Sequence, residues 1–180
     1  MARTVRVAVA ALALALAGTV SACGSDPAPT PPAAPAPVAP VGADGQPLTS
    51  LCDLLDVSDF SQVAGITASK PVAKDATMTA ATCEFGPNVK LTVASAPTVE
   101  AAMGAYQESL KTGWFANNVK QGPIGGVDQS VYGSGPDAAA LSVRRLKLVV
   151  TIVVPAKPDS EATLVQLTGR LLARANALGA

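Results

Sequence analysis

Residues 147–154 have the sequence KLVVTIVV, and this stretch decides the fold. Apart from Lys147 and Thr151, every residue in it is aliphatic. A strand with one face in water alternates apolar and polar residues, whereas an unbroken apolar run of this length indicates a strand that is buried on both faces. The stretch therefore predicts the central strand of a sheet, covered by helices.

The segments around this strand predict further strands. Residues 89–95 alternate apolar and polar side chains, so their strand is expected to have one wet face. Gly86-Pro87-Asn88, directly before it, is typical of a hairpin turn. The other predicted strands are 66–72, 78–85, 127–132 and 139–144.

Three helical segments complete the pattern. The first is 51–64, in one or two pieces, with Ser58 as an internal cap and Gly65 as its end. The second is 98–110, with Gly113 as its end, and the last begins at Pro158-Asp159-Ser160. The apolar stripes expected to be buried are Val99, Ala102, Met103, Tyr106 and Leu110 on the second helix and Leu164, Leu167, Leu171, Ala175 and Leu178 on the third. Arg170 and Arg174 are expected on the outside, near the negative end of the helix dipole.

The order of elements predicts the fold class. Helix, three strands, helix, three strands and helix indicate an α+β domain, in which an antiparallel sheet is packed by about three helices. Each half ends with strand, hairpin, strand and helix, so the sequence also suggests pseudo-duplicated βββα halves.

Composition excludes several functions. The 180-residue chain has 13 Lys and Arg, 13 Asp and Glu, and no histidine. Without histidine there is no Ser–His–Asp arrangement and no histidine metal ligand. The balanced charge argues against a nucleic-acid surface. We therefore expect no catalytic residue, no metal and no cofactor, and we expect that the protein is not an enzyme.

The first 22 residues are typical of a secretory leader. Arg3 and Arg6 precede an apolar run at 7–17, and small residues follow. The run is too short to span a bilayer, which takes about 20 helical residues. Residues 24–47 hold eight prolines in 24 positions, so they predict an extended tether. The domains are therefore a signal peptide at 1–22, a tether at 23–47 and a globular α+β domain at 48–180.

The end of the leader resembles a lipobox. In bacterial lipoproteins a branched residue and two small ones precede the modified cysteine, as in Val20-Ser21-Ala22-Cys23 here. The resemblance implies cleavage before Cys23, a diacylglyceryl group on its thiol and further acylation of the new amino terminus. In the other interpretation, the same residues are an ordinary cleavage site and Cys23 is incidental.

The two other cysteines form an even pair. If Cys23 carries lipid, Cys52 and Cys83 remain in an exported, oxidising setting, which predicts a disulfide that closes a loop of about 30 residues. The alternative is two unpaired buried thiols.

Short motifs around these cysteines carry a family resemblance. Cys52-Asp53-Leu54-Leu55, Cys83-Glu84-Phe85 and Gly125-Gly126-Val127-Asp128, together with the lipobox and tether, resemble actinobacterial lipoproteins that carry a domain of unknown function. The resemblance implies a disulfide-stapled α+β domain outside the cytoplasmic membrane. It transfers no catalytic residue.

Other candidate sites have a functional and a structural interpretation. Tyr106, Trp114 and Phe115 either cap the core at a helix end or form one wall of a hydrophobic groove for a lipid, a glycan or a partner segment. Asp53, Asp56 and Asp59 either ligate a cation or serve the helix dipole and solvent. Arg144-Arg145 either receive an anionic group or lie in a solvated turn. The glycine-rich stretches 122–126 and 133–136 lack the Lys-Ser/Thr of a phosphate loop and predict turns.

Together these patterns predict a protein anchored by lipid on the outer face of the cytoplasmic membrane. Its expected function is that of a non-catalytic ligand-binding or sensor-like module, with a small hydrophobic ligand as one candidate partner. The alternatives are a scaffold lipoprotein that binds an envelope protein and, last, an envelope hydrolase with a Ser, Asp or Lys in a cleft.

Overall fold

The central run at 147–154 forms a strand of one antiparallel sheet. The computed structural model describes residues 40–74, 76–115, 119–122 and 124–176, so the signal peptide, Cys23 and the tether as far as residue 39 lie outside the described residues, as does Leu178. Within these ranges the strands are β1 (Val72–Lys74), β2 (Ala80–Gly86), β3 (Val89–Ser95), β4 (Lys120–Gln121), β5 (Gln129–Ser134), β6 (Ala138–Arg145) and β7 (Leu148–Pro155). The helices are α1 (Val57–Ala64), α2 (Val99–Ser109) and α3 (Ser160–Ala175), with 3-10 helices at Leu51–Leu54 and Gly113–Phe115.

The strand order confirms that β7 is central. The order is β1-β2-β3-β7-β6-β5-β4, and every neighbouring pair is antiparallel. Ile152 of β7 pairs with Leu91 on one side and with Leu141 on the other. All residues of β7 before Pro155 are buried. The predicted α+β class with an antiparallel sheet is therefore confirmed.

Helices cover the two faces of β7 separately. The side chains of Leu164, Leu167 and Leu171 on α3 share one core cluster with Val150 and Ile152, and α1 belongs to the same layer. On the opposite face, α2 packs in a second cluster, of which Ala102, Tyr106, Val149 and Val153 are members.

The one polar side chain of the central strand, that of Thr151, is hydrogen-bonded to another hydroxyl group. Thr151 is only 9% exposed, and its Oγ1 donates to Ser142 Oγ at 3.0 Å. Ser142 Oγ also lies 2.8 Å from Ser109 Oγ of α2. The buried hydroxyls therefore bond to one another, which removes most of the cost of burying them.

Several predicted elements were wrong in part. Residues 66–71 are not a strand and only Val72–Lys74 pairs, because Gly65 turns the chain in the left-handed region and Pro71 has no N–H to donate. Ser58 does not cap the first helix: its hydroxyl donates to Asp56, which is the N-cap of α1.

The second helix also differs from its prediction. It ends at Ser109, and its buried residues are Ala102 and Tyr106, whereas Val99 and Met103 are 41% and 46% exposed. The reason is that only the side of α2 that carries Ala102 and Tyr106 packs against the sheet.

Strand β4 was not predicted. It has only two residues, which are too few to show an alternating pattern in the sequence. The suggested duplication of βββα halves is not confirmed: α2 and α3 lie on opposite faces of the sheet, and the second half contains four strands. It stays a prediction.

A buried carboxylate links α1 to α3. Asp59 is fully buried and accepts hydrogen bonds from Arg174, at 2.6 and 3.0 Å, and from Arg170, at 3.0 Å. Its Oδ2 also accepts the backbone N–H of Asp56 at 3.0 Å, which completes a capping box. The expectation that Arg170 and Arg174 lie on the outside was therefore wrong in part, because both side chains turn toward Asp59 and are half-buried. Asp59 lies in the first turn of its helix, as expected, but it is buried and paired and does not face solvent.

The charges around Asp59 govern its titration. Burial by itself would raise the pKa of Asp59, but hydrogen bonds from Arg174, the Asp56 backbone and Arg170 hold it below the ordinary value. The ionised form therefore stabilises the folded chain.

The disulfide predicted from the cysteine count is present. Cys52 and Cys83 are bonded, with their Cα atoms 5.7 Å apart, and both are buried. The bond joins the 3-10 helix Leu51–Leu54 to β2 and spans 31 residues of sequence. In the described part of the chain, no helix is long and apolar enough to cross a membrane.

Replacing both bonded cysteines by alanine should lower the free energy of unfolding by about 3 to 4 kcal/mol, because the unfolded chain regains the freedom of the closed loop. Urea unfolding measures this difference. The matched control is Cys23→Ser, which changes the third cysteine and leaves the bond intact. Equal midpoints for the double variant and this control would contradict the prediction.

Asp59→Asn should lower the free energy of unfolding by about 2 to 4 kcal/mol at neutral pH, because both arginines lose a buried partner. Since the folded pKa lies below the unfolded one, the stabilisation is complete above the unfolded pKa and is lost as pH falls through the folded pKa. The variant should therefore lose less stability in acid than the parent chain does.

The control for this change is Asp56→Asn, which removes a carboxylate three residues away but keeps a side chain that caps helices equally well. Urea unfolding between neutral and acid pH compares the three proteins. The prediction is wrong if Asp59→Asn loses stability in acid as steeply as the parent chain does.

Candidate functional site

The chain after α2 presents the lone tryptophan of the sequence at the surface. The 3-10 helix Gly113–Phe115 follows a turn at the end of α2 and packs beside β5 and β6. Phe115 is buried and belongs to the α2 core cluster, whereas Trp114 is 39% exposed. This short helix thus directs one aromatic side chain into the core and leaves the other accessible.

Trp114 borders a cleft of about 460 Å³. The turn between β5 and β6 also lines the cleft. In this turn the N–H of Gly135 donates to the carbonyl of Ala138 at 2.9 Å. The described residues that line the cleft are Gly113, Trp114, Ser134, Gly135, Pro136, Asp137 and Ala138. Its volume is in the range of small-molecule sites, about 300 to 1,000 Å³.

Glycine in β5 allows the close approach that shapes this cleft. A Cβ atom at Gly133 would overlap the backbone oxygen of Trp114 and would lie 3.0 Å from Phe115 Cδ1. The 3-10 helix can therefore lie directly on β5 only because residue 133 has no side chain.

The cleft offers polar groups that the described residues leave unengaged. Trp114 Nε1–H and the carboxylate of Asp137 have no side-chain hydrogen bond or ion pair to any other residue that the structure describes. Asp137 is exposed. Ser134 pairs with Ala139, which belongs to the α3 core cluster, so the Ser134 side chain lies on the face of the sheet away from Trp114. The site thus combines one aromatic surface with one indole donor and one acceptor carboxylate.

The three aromatic residues considered from sequence are only partly brought together. Tyr106 and Phe115 are 3% and 8% exposed and form part of the core, as the core-cap interpretation expected. Trp114 alone among them borders the 460 Å³ cleft. Tyr106 touches a different cleft of about 380 Å³, beside Gln107 and Gln129. Burial raises the pKa of the Tyr106 phenol, and the nearby Arg144 opposes this only in part.

Arg144 is neither an open anion receptor nor part of a solvated turn. It is 9% exposed, its Nε donates to Gln129 Oε1 at 2.9 Å, and its Nη1 donates to Asp128 Oδ2 at 3.0 Å. The same Asp128 oxygen accepts the N–H of Leu146 at 2.7 Å. Arg144 therefore fixes the β6–β7 turn, in which Leu146 has a positive φ of 50°.

The three aspartates at 53, 56 and 59 serve helix ends. Asp53 and Asp59 complete capping boxes, and Asp56 is the N-cap of α1. Across the described ranges, no group of three or more Cys, Asp or Glu side chains is placed to hold a metal ion.

Sequence reasoning missed Ser134 and Asp137 as site residues. Ser134 lies in a stretch that was predicted only as a turn, Asp137 directly follows that stretch, and Trp114 is far from both in sequence. A usable signal was the carboxylate directly after Gly133-Ser134-Gly135-Pro136, between two predicted strands.

Gly133→Ala should displace the 3-10 helix, lower the free energy of unfolding by about 1 to 3 kcal/mol and shift the Trp114 emission, because a Cβ there overlaps backbone. Urea unfolding and tryptophan fluorescence measure both effects. Gly104→Ala is the control: its Cβ meets nothing within 4 Å on α2, so it should stabilise by about 0.5 to 1 kcal/mol. Unchanged emission in Gly133→Ala would contradict the proposed packing.

No family model matches this chain, and no curated protein matches it either. The resemblance to actinobacterial lipoproteins therefore stays a prediction from short motifs.

Proposed function

We propose that this protein is a lipid-anchored module on the outer face of the cytoplasmic membrane that binds a ligand in the cleft at Trp114, without catalysing a reaction. The observation that carries the proposal is the exposed indole beside a 460 Å³ cleft with unengaged polar groups. Burying an aromatic side chain of this size would stabilise the core, so leaving it 39% exposed beside a cleft favours a binding role.

The sequence before the domain supports the location. A basic start, an apolar run, the lipobox-like Val20-Ser21-Ala22-Cys23 and a proline-rich stretch occur in the order that an exported lipoprotein requires. Two or three acyl chains on Cys23 would anchor firmly, since each buried CH₂ contributes roughly 0.8 kcal/mol. The buried disulfide is compatible with an oxidising compartment.

The composition of the cleft supports a non-catalytic role. Its described lining contains one acidic residue, Asp137, and one hydroxyl residue, Ser134, and a hydroxyl nucleophile needs a neighbouring base. The lining offers no amine or second carboxylate to act beside Asp137.

A scaffold role is the second candidate. Val99 and Met103 lie one turn apart on α2 and are 41% and 46% exposed, so they give this helix an apolar strip toward solvent. A protein partner in the envelope would cover this strip, whereas a small ligand would use the Trp114 cleft.

Native mass spectrometry of the full chain, extracted from the membrane of its own cells, tests the proposal. We expect a mass above that of the polypeptide 23–180 by the acyl groups, together with a retained ligand. Cys23→Ser should lose the acyl mass, and Trp114→Ala should keep it but lose the ligand.

Met103→Ala is the matched control, because Met103 is exposed but lies outside the cleft. It should keep both the acyl mass and the ligand. A bare polypeptide mass would overturn the anchoring, and a ligand that survives Trp114→Ala would overturn the site. A protein partner lost in Met103→Ala would favour the scaffold role.

A further inference from the structure

We infer that the cleft at Trp114 binds a neutral saccharide, with one sugar ring lying on the indole. This inference rests on the proposed function and names the ligand class for the same site. Three features of the described lining carry it: a single aromatic surface, the charge of the cleft, and the chemistry of its unengaged polar groups.

The aromatic surface fits a sugar ring. A pyranose presents a face of C–H groups, which packs against the electron-rich face of an indole, and its hydroxyls point outward from the ring edge. Trp114 provides one such surface, 39% exposed, and Gly113 and Gly135 beside it add no bulk that would block a ring.

The charge of the cleft excludes an anionic ligand. Asp137 is the charged group in the described lining, and the lining includes neither Lys nor Arg. A phosphate or carboxylate ligand would be repelled by Asp137 and would find no cation with which to pair. The ligand is therefore neutral or positively charged.

The polar groups distinguish a sugar from a cation. The Asp137 carboxylate can accept sugar hydroxyl hydrogens, while Trp114 Nε1–H can donate to a sugar oxygen. A cation would pair with the Asp137 carboxylate but could not accept a hydrogen bond from the indole N–H. Proteins that bind organic cations surround the cation with several aromatic side chains, and the described lining has one. The site therefore matches a ligand that both donates and accepts.

An acyl chain fits less well. It would bury the Asp137 carboxylate and the Trp114 Nε1–H without hydrogen-bond partners, which costs free energy. The lining is also open, since Gly113, Trp114, Gly135, Pro136 and Asp137 are all exposed. A saccharide keeps one edge in water and needs no enclosed cavity.

Tryptophan fluorescence of the full lipidated chain tests the inference. Because Trp114 is the single tryptophan of the chain, its emission reports on this cleft alone. The chain is kept in a polyoxyethylene detergent, since glucoside and maltoside detergents carry the very group being tested. The probes are maltose, cellobiose, trehalose, mannobiose and N,N′-diacetylchitobiose, with glycerol, choline and decanoate for comparison.

We expect at least one disaccharide to change the Trp114 emission in a saturable way, whereas glycerol does not. Asp137→Asn should weaken that binding about tenfold, the effect of weakening one charged hydrogen bond. Saturation-transfer NMR should show the sugar signal lost in Trp114→Ala and retained in Met103→Ala. Circular dichroism establishes that each variant is folded.

The other outcomes overturn the inference. Saturable binding of choline but of no sugar would assign the cleft to organic cations, and binding of decanoate alone would assign it to acyl chains. Sugar binding that survives Trp114→Ala would lie elsewhere on the chain. If no disaccharide binds while the membrane-extracted protein retains a Trp114-dependent ligand, the saccharide inference fails and the proposed function stands.

Discussion

Burial of strand β7 on both faces is the constraint on which the other elements depend. Its side chains alternate between two cores, so both faces need a helical cover. On one face α3 and α1 provide this cover, and the ion pairs of Asp59 with Arg170 and Arg174 hold these two helices together. The disulfide joins the 3-10 helix that precedes α1 to β2. On the other face α2 is the cover, and the chain that leaves α2 carries Trp114 to the rim of the cleft.

The elements on the α2 face pack closely on the sheet, and this packing places the cleft. The sheet beneath α2 presents small side chains such as Ala138, Ala140 and Ser142, so the helix lies close to the strands. Gly133 lets the following 3-10 helix lie equally close to β5. Tyr106 and Phe115 fill the space between α2 and the sheet, and Trp114 stays outside this cluster at the rim of the cleft.

The sequence predicts what depends on a local pattern. The unbroken apolar run gives β7, the alternation at 89–95 gives β3 with its wet face, and cysteine parity gives the disulfide. Features that depend on distant partners are not predictable in this way. The link from Asp59 to Arg170 and Arg174 joins residues more than 100 positions apart, and the lining of the cleft depends on how closely one helix approaches a hairpin. The leader, Cys23 and the tether remain predictions from motif.

The two outer strands of the sheet are unusually short. Strand β1 has three residues and β4 has two, and each contains a lysine, Lys74 and Lys120. A long bare edge strand is a template on which a second copy can add its own strand, and brevity and positive charge both oppose such pairing. If the chain is anchored by lipid as proposed, neighbouring copies share one surface and meet often. This sheet therefore gives crowded copies little backbone on which to aggregate.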